Sequence, residues 1–225
     1  NDVAANGGEP VAMTLTIIMT PDSDPSDVGR IMDGATARAK TLGVEIVGGH
    51  TEFSDCVTRP IVCGTAIGRT KRPIMKDGFR AGDKILVTKL LALEGTCLLV
   101  GEKHPALSEA ESDKLVRFQS MLDVGRESKI VSALPEVRAM HDVTEGGILG
   151  AVAEICSNAN LGSRLYEEKM PVDGLTDRLC KTYGVDPLRF VSSGSMLIIS
   201  SDPGVVKYAL EKAGIAATEI GEVTD

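Results

Sequence analysis

The residues best suited to chemistry in this chain fall in polar clusters built around glycine. The first comprises Gly48, Gly49, His50, Thr51 and Glu52, directly after the short apolar run 44–47. Paired glycines at the mouth of a strand let the backbone approach a ligand closely and expose its N–H groups. A concavity of such amides suits phosphate oxygens, and a carboxylate such as Glu52 suits the accompanying cation. The same residues would also make an ordinary glycine turn with a solvated polar tail. The second cluster is His141, Asp142, Val143, Thr144, Glu145, Gly146 and Gly147, where a predicted strand meets a predicted helix. Free amides at a helix start attract anions. Asp142 there is either a helix N-cap or a magnesium ligand beside a phosphate.

Two further clusters follow the same logic. Gly95 and Thr96 open another predicted helix, with Lys89 upstream either neutralising a phosphate or ending a strand in solvent. Ser193 and Gly194 lie in the run Ser192-Ser193-Gly194-Ser195 before a buried strand, a tight turn or a ligand contact. His50 and His141 both suit ligand contact, but neither has the i, i+4 partner of a metal-binding pair. The sequence contains no P-loop, no GxGxxG beside a strand and no GxSxG, so a nucleotide site here must use another scaffold.

The elements that must position these residues are readable from periodicity. Residues 11–20, 44–47, 59–68, 84–89, 137–142, 162–166, 195–200 and 217–221 read as strands. Helical spacing covers 27–42 (N-cap Ser26), a start at 94–100, then 108–122, 125–134, 148–158, 176–183 and 203–213. Asn1 and Asp2 look like the first turn of a helix ended by Gly7 and Gly8, which suggests the remainder of a longer chain. The pattern predicts an α/β (α+β) fold with sheets facing helices, and the charged connector 69–83 predicts a domain boundary near residue 70.

Composition narrows the function classes. A formal charge of −8 over 225 residues disfavours nucleic acid or an anionic membrane as main partner, while leaving room for a nucleotide pocket. No window reads as a signal peptide or a membrane span. The five cysteines form no CxxC pair and read as buried free thiols in a reducing cytosol, which predicts a cytoplasmic protein. Aromatic residues make up 3%, so base stacking on aromatic platforms is not expected.

Taken in order, the motifs resemble one family. Asn1-Asp2 with Ala5, Gly7-Gly8 and Pro10, then the run 48–52, then 141–147, then Ser192-Ser193-Gly194-Ser195, are similar to the AIR synthase (PurM-like) superfamily, nearest its HypE-like branch. The resemblance implies an N-terminal α/β domain over 1–70, pairing its sheet with a second copy as a homodimer, and a C-terminal α/β domain over 71–225. It implies ATP and Mg2+ as cofactors and a small-molecule acceptor, with a role in hydrogenase maturation for that branch. By position, Asp2, Glu52 and Asp142 would bind the metal, and Gly48, Gly49, His50, Thr51, Gly146 and Gly147 the nucleotide. Lys89, Gly95, Thr96, Ser193 and Gly194 would face the acceptor. The chemistry implied is activation of an oxygen or a selenium by phosphoryl transfer. No cysteine lies at the end of the chain, so the tail-thiol carbamoyl chemistry of that branch is not expected of these residues. A non-catalytic scaffold and a thiamine-monophosphate-kinase-like enzyme are the alternatives.

Overall fold

The computed structural model describes all residues, Asn1 to Asp225. They divide into two compact units: one formed by 8–71, the other by 1–7 together with 72–225. The division near residue 70 accompanies the charged connector, but the first seven residues join the later unit. That long-range assignment has no local signature.

The smaller unit is a three-stranded sheet with one helix. Strand β1 (Glu9–Met19) lies in the middle, parallel to β2 (Glu45–Phe53) and antiparallel to β3 (Ile61–Arg69). Between β1 and β2 runs α2 (Pro25–Leu42), the crossover that a parallel pair requires. Its N-cap is Asp24, whose carboxylate accepts from the Ser26 N–H at 2.8 Å, and not Ser26 as the sequence suggested. Proline at N1 explains the earlier start, because its fixed φ suits the first turn. Leu15, Ile17 and Met19 alternate into a buried face of β1, and Ala39 is the buried residue of α2. Every residue of β3 is exposed, including Ile61, Val62 and Ile67.

The larger unit has a five-stranded antiparallel sheet in the order β5-β7-β4-β8-β6. Its strands are β4 (Lys84–Thr88), β5 (Val137–Asp142), β6 (Gly162–Leu165), β7 (Met196–Ser200) and β8 (Ala217–Thr224). The apolar runs of β4 and β7 are continuous because both faces are covered. Ile85, Val87, Leu197 and Ile199 meet α6 (Gly147–Asn158) on one face. Leu86, Met196 and Ile198 point the other way, toward α5 (Gly125–Val131), α8 (Pro203–Lys212) and Ala4 of the short helix α1 (Asp2–Ala5). A separate cluster joins α3 (Leu93–Lys103), α4 (Glu109–Ser120) and α7 (Gly174–Tyr183) through Leu93, Leu99, Phe118, Leu175 and Leu179.

No helix is long and apolar enough to cross a membrane. All five cysteines are free thiols; Cys156 and Cys180 are buried as expected, whereas Cys56 and Cys63 are exposed. Their surroundings read as apolar in sequence, but Cys56 lies in the turn after β2 and Cys63 in β3, whose residues are all exposed.

Candidate functional site

The glycine cluster at 48–52 is not a turn. Strand β2 continues through it to Phe53, and residues 48–53 pair one for one with 14–19 of β1. The register shifts between Met13 and Thr14, so Val47 is the extra residue of a β-bulge, a device that re-aims the side chains after it. Gly49 is required by close packing, since a Cβ there would fall 1.8 Å from the Leu15 carbonyl oxygen. Gly48 has open space around the same position. Beyond them His50 and Glu52 share a face of the strand, Nε2 to Oε2 3.5 Å, both well exposed. Thr51 points to the opposite face by the same alternation.

The second cluster behaves differently. Asp142 is the last residue of β5 and is 4% exposed. It does not cap α6, whose N-cap is Gly146 without any side-chain bond, so the capping alternative is removed. His141, 7% exposed, donates from Nδ1 to the Asp142 carbonyl oxygen at 2.8 Å, with Nδ1 3.6 Å from the carboxylate. Its Nε2 lies 3.4 Å from Glu154 of α6. Burial pushes the Asp142 carboxyl up most strongly, but hydrogen bonds from His141 and the backbone together outweigh it. The net value lies below the usual carboxylate range. The same hydrogen bond raises His141, against burial and the charge of Lys76. The result is a buried carboxylate that stays ionised at neutral pH.

The α6 start offers fewer amides than its glycines suggested. Gly147 donates to the Thr144 carbonyl at 3.1 Å and Leu149 to the Leu188 carbonyl at 3.2 Å. Gly147 is buried so closely that a Cβ would come 2.4 Å from Leu188 O, whereas Gly146 is exposed. Ser192 N–H reaches Thr144 O at 3.3 Å and Val143 N–H reaches Ser195 O at 3.1 Å, so the two loops lock together.

The expected acceptor-facing residues are mostly committed to the fold. Lys89 has all three ammonium protons engaged, by the carbonyls of Met121 (2.8 Å) and Asp123 (2.6 Å) and the carboxylate of Glu127 (2.7 Å). It therefore has no proton left for a phosphate. Gly95 donates to the Val191 carbonyl at 3.0 Å and packs so tightly on Phe190 that a Cβ would sit 2.5 Å from its ring. Thr96 is fully buried, bonded to Ala92 O and to the Thr176 hydroxyl. Gly194 is buried against Met121 and Leu122, leaving Ser193, half-buried, as the accessible member of that turn. Sequence reasoning missed Glu127 and the 121–124 segment, because a buried glutamate inside a helix reads as one more solvated charge.

Asp2 is exposed at the start of α1, and α1 packs beside β5, so the structure brings the Asp2 and Asp142 elements together within one unit. Glu52 belongs to the other unit. No group of three or more His, Cys, Asp or Glu side chains forms a metal cage. Magnesium usually takes one or two carboxylates and completes its shell with water and phosphate oxygens. An exposed Asp2 and an ionised Asp142 on adjacent elements fit that pattern of binding with a nucleotide.

The profile of the AIR synthase related protein N-terminal domain matches residues 1–70, and that of the C-terminal domain matches residues 80–225. Carbamoyl dehydratase HypE of Cupriavidus necator is 29% identical over 236 residues, covering 100% of this chain and 65% of the relative. The crystal structure of E. coli HypE superposes with a TM-score of 0.85 at 24% identity, covering 100% of this chain and 70% of that one. A HypE crystallised in complex with ATP gives a TM-score of 0.83 at 21% identity, covering 100% and 68%. The chain spans 58% to 72% of the length of the curated relatives it matches.

Proposed function

The chain belongs to the AIR synthase related family, and from that premise we propose a HypE-like, ATP-binding enzyme that activates a small acceptor by magnesium-dependent phosphoryl transfer, in hydrogenase maturation. The observation that supports this reading is that α1, which begins at Asp2, packs beside β5, which ends at Asp142. The name of the Cupriavidus necator relative supports a carbamoyl oxygen as the acceptor, the carbamoyl-bearing thiol then lying outside these residues.

Magnesium, when bound with ATP, would neutralise the phosphate charge that builds up during transfer. Asp2 and Asp142 are the residues that would hold it. Asp142 needs no proton removed at neutral pH, because its hydrogen bonds already hold it ionised. His141 fixes the end of β5 through the Asp142 carbonyl. Gly48, with open space where a side chain would be, leaves the β2 backbone accessible to phosphate oxygens. His50 and Glu52 lie exposed just beyond it.

A homodimer is part of the proposal. The smaller unit leaves Val47, Phe53, Ile61, Val62 and Ile67 exposed on its edge strands, a surface that isolated sheets normally cover. Sedimentation of the full-length protein is expected to show a dimer.

Nucleotide titration of the full-length protein tests the site. Asp2→Asn and Asp142→Asn are each expected to weaken Mg·ATP binding by about 2 kcal/mol or more, roughly thirtyfold. Wild-type affinity in the double variant removes both metal roles and the reading with them.

A further inference from the structure

A buried ammonium must find acceptors for its three protons, so a lysine at the end of an interior strand is costly unless it organises something. Lys89 follows β4, and its backbone is left-handed (φ 56°), as is that of Ala92 (φ 56°). Non-glycine residues in that region carry strain that neighbouring contacts must hold in place. The contacts are the carbonyls of Met121 and Asp123 and the 3% exposed Glu127 carboxylate, which also accepts from the Thr88 hydroxyl at 3.2 Å.

The gripped segment, 121–124, joins α4 to α5 and is held from two more directions. Gly194 packs under it, where a Cβ would lie 2.9 Å from the Met121 carbonyl oxygen. The side-chain amide of Asn1 spans it, Nδ2 donating to Leu122 O at 3.0 Å and Oδ1 accepting from Val124 N–H at 3.1 Å. The carbonyls of Met121 and Asp123 thus go to Lys89, and the one between them goes to Asn1. Asn1 directly precedes Asp2, and Ser128 of α5 adds a bond to Ala4 O at 2.6 Å, fixing the far side of the same short helix.

We propose that Lys89 is a positioning residue for the nucleotide site: by fixing the 121–124 segment it fixes Asn1, and through Asn1 the carboxylate of Asp2. This rests on the reading of Asp2 as a magnesium-binding acid. Lys89 itself touches neither nucleotide nor metal.

The test titrates ATP affinity against magnesium in the full-length protein for wild type, Lys89→Met, Asn1→Ala and their combination, with a magnesium-free titration in EDTA. Each single variant is expected to raise the magnesium concentration at half-maximal binding by about tenfold, with magnesium-free affinity unchanged. The combination is expected to go no further than the larger single effect, because both residues act along one chain of contacts. Hydrogen exchange of the Val124 amide is expected to quicken in Lys89→Met. A residue that only stabilised the fold would reduce total binding in proportion to unfolded protein and leave the magnesium midpoint in place. That result overturns the proposal, as does an additive double variant. Asn1→Ala changes an exposed side chain, so it decides the matter even where Lys89→Met does not fold; an unmoved midpoint overturns the proposal. Asp2→Asn separates the two levels. If it leaves the midpoint unchanged, the reading of the site falls and the proposal with it. If it shifts the midpoint while Asn1→Ala and Lys89→Met do not, only the positioning role falls.

Discussion

The clusters at 48–52 and 141–147 contain nearly the same residue types, yet the fold treats them in opposite ways. The first lies on an edge strand with His50 and Glu52 exposed. The second is buried at the end of β5, its histidine and aspartate tied to each other and its helix start hydrogen-bonded to the 188–195 loop. Paired glycines therefore have two meanings here. In each pair one glycine is demanded by a neighbouring carbonyl, Gly49 by Leu15 and Gly147 by Leu188, and its partner, Gly48 or Gly146, is open. A glycine that exists for packing cannot also be the place where a ligand approaches from that side.

Substitution within each pair breaks or sharpens this contrast. The largest effect is expected for Gly49→Ala, because its Cβ would collide with strand backbone at 1.8 Å, with nothing flexible to move. A loss on the order of 4 kcal/mol, or failure of the smaller unit to fold, should appear in denaturant unfolding. Gly48→Ala meets nothing within 4 Å and is expected to change stability by less than about 1 kcal/mol while weakening Mg·ATP binding. Equal stability losses for the two would contradict the assignment of Gly49 to packing. Next comes Gly147→Ala, with a contact of 2.4 Å to Leu188 O and a left-handed φ of 61°, for which about 3 kcal/mol is expected. Gly146→Ala, left-handed but nearly unobstructed, should cost about 1 kcal/mol in the same measurement.

The smallest effect concerns the thiols and leaves stability untouched. Cys97 is pushed up to about 11 by burial and then by the Glu94 charge, and Cys156 and Cys180 are raised chiefly by burial. Because the thiolate is the reacting form, a raised value means less reaction at a given pH. Alkylation of the native chain at pH 8, followed by mass spectrometry, should label Cys56 and Cys63 well before the other three. The rate at Cys97 should still be climbing as pH approaches its raised value. Early labelling of Cys97 would mean that the α3 to α7 packing is looser than described.

Much of the architecture was legible before any coordinates. Strands β4 and β7 announce themselves as unbroken apolar runs, and α6 and α7 as helical stripes, because burial on two faces or one face imposes those periods locally. The continuation of β2 through Gly48 and Gly49 was not legible. Glycine is a poor strand former, and only pairing with β1 overrides that preference. Lys89 was equally opaque: a lysine after a strand reads as a phosphate partner or a solvated end, and nothing near it in sequence foretells carbonyls more than thirty residues away. Of the proposed site, the acids could be picked out by their motifs, whereas the commitment of Lys89, Gly95 and Thr96 to packing could not.

The sequence alone determined most of the strands and helices, the family, and which residue types are available for binding phosphate and metal. Those depend on periodicity and short motifs, which are local properties. The tertiary structure alone decided that 1–7 docks on the larger unit beside β5, that Asp142 is buried and ionised, and which glycines and lysines are already taken. Each of these depends on a hydrogen-bond partner far along the chain, and a donor's availability is fixed only when every partner has been placed.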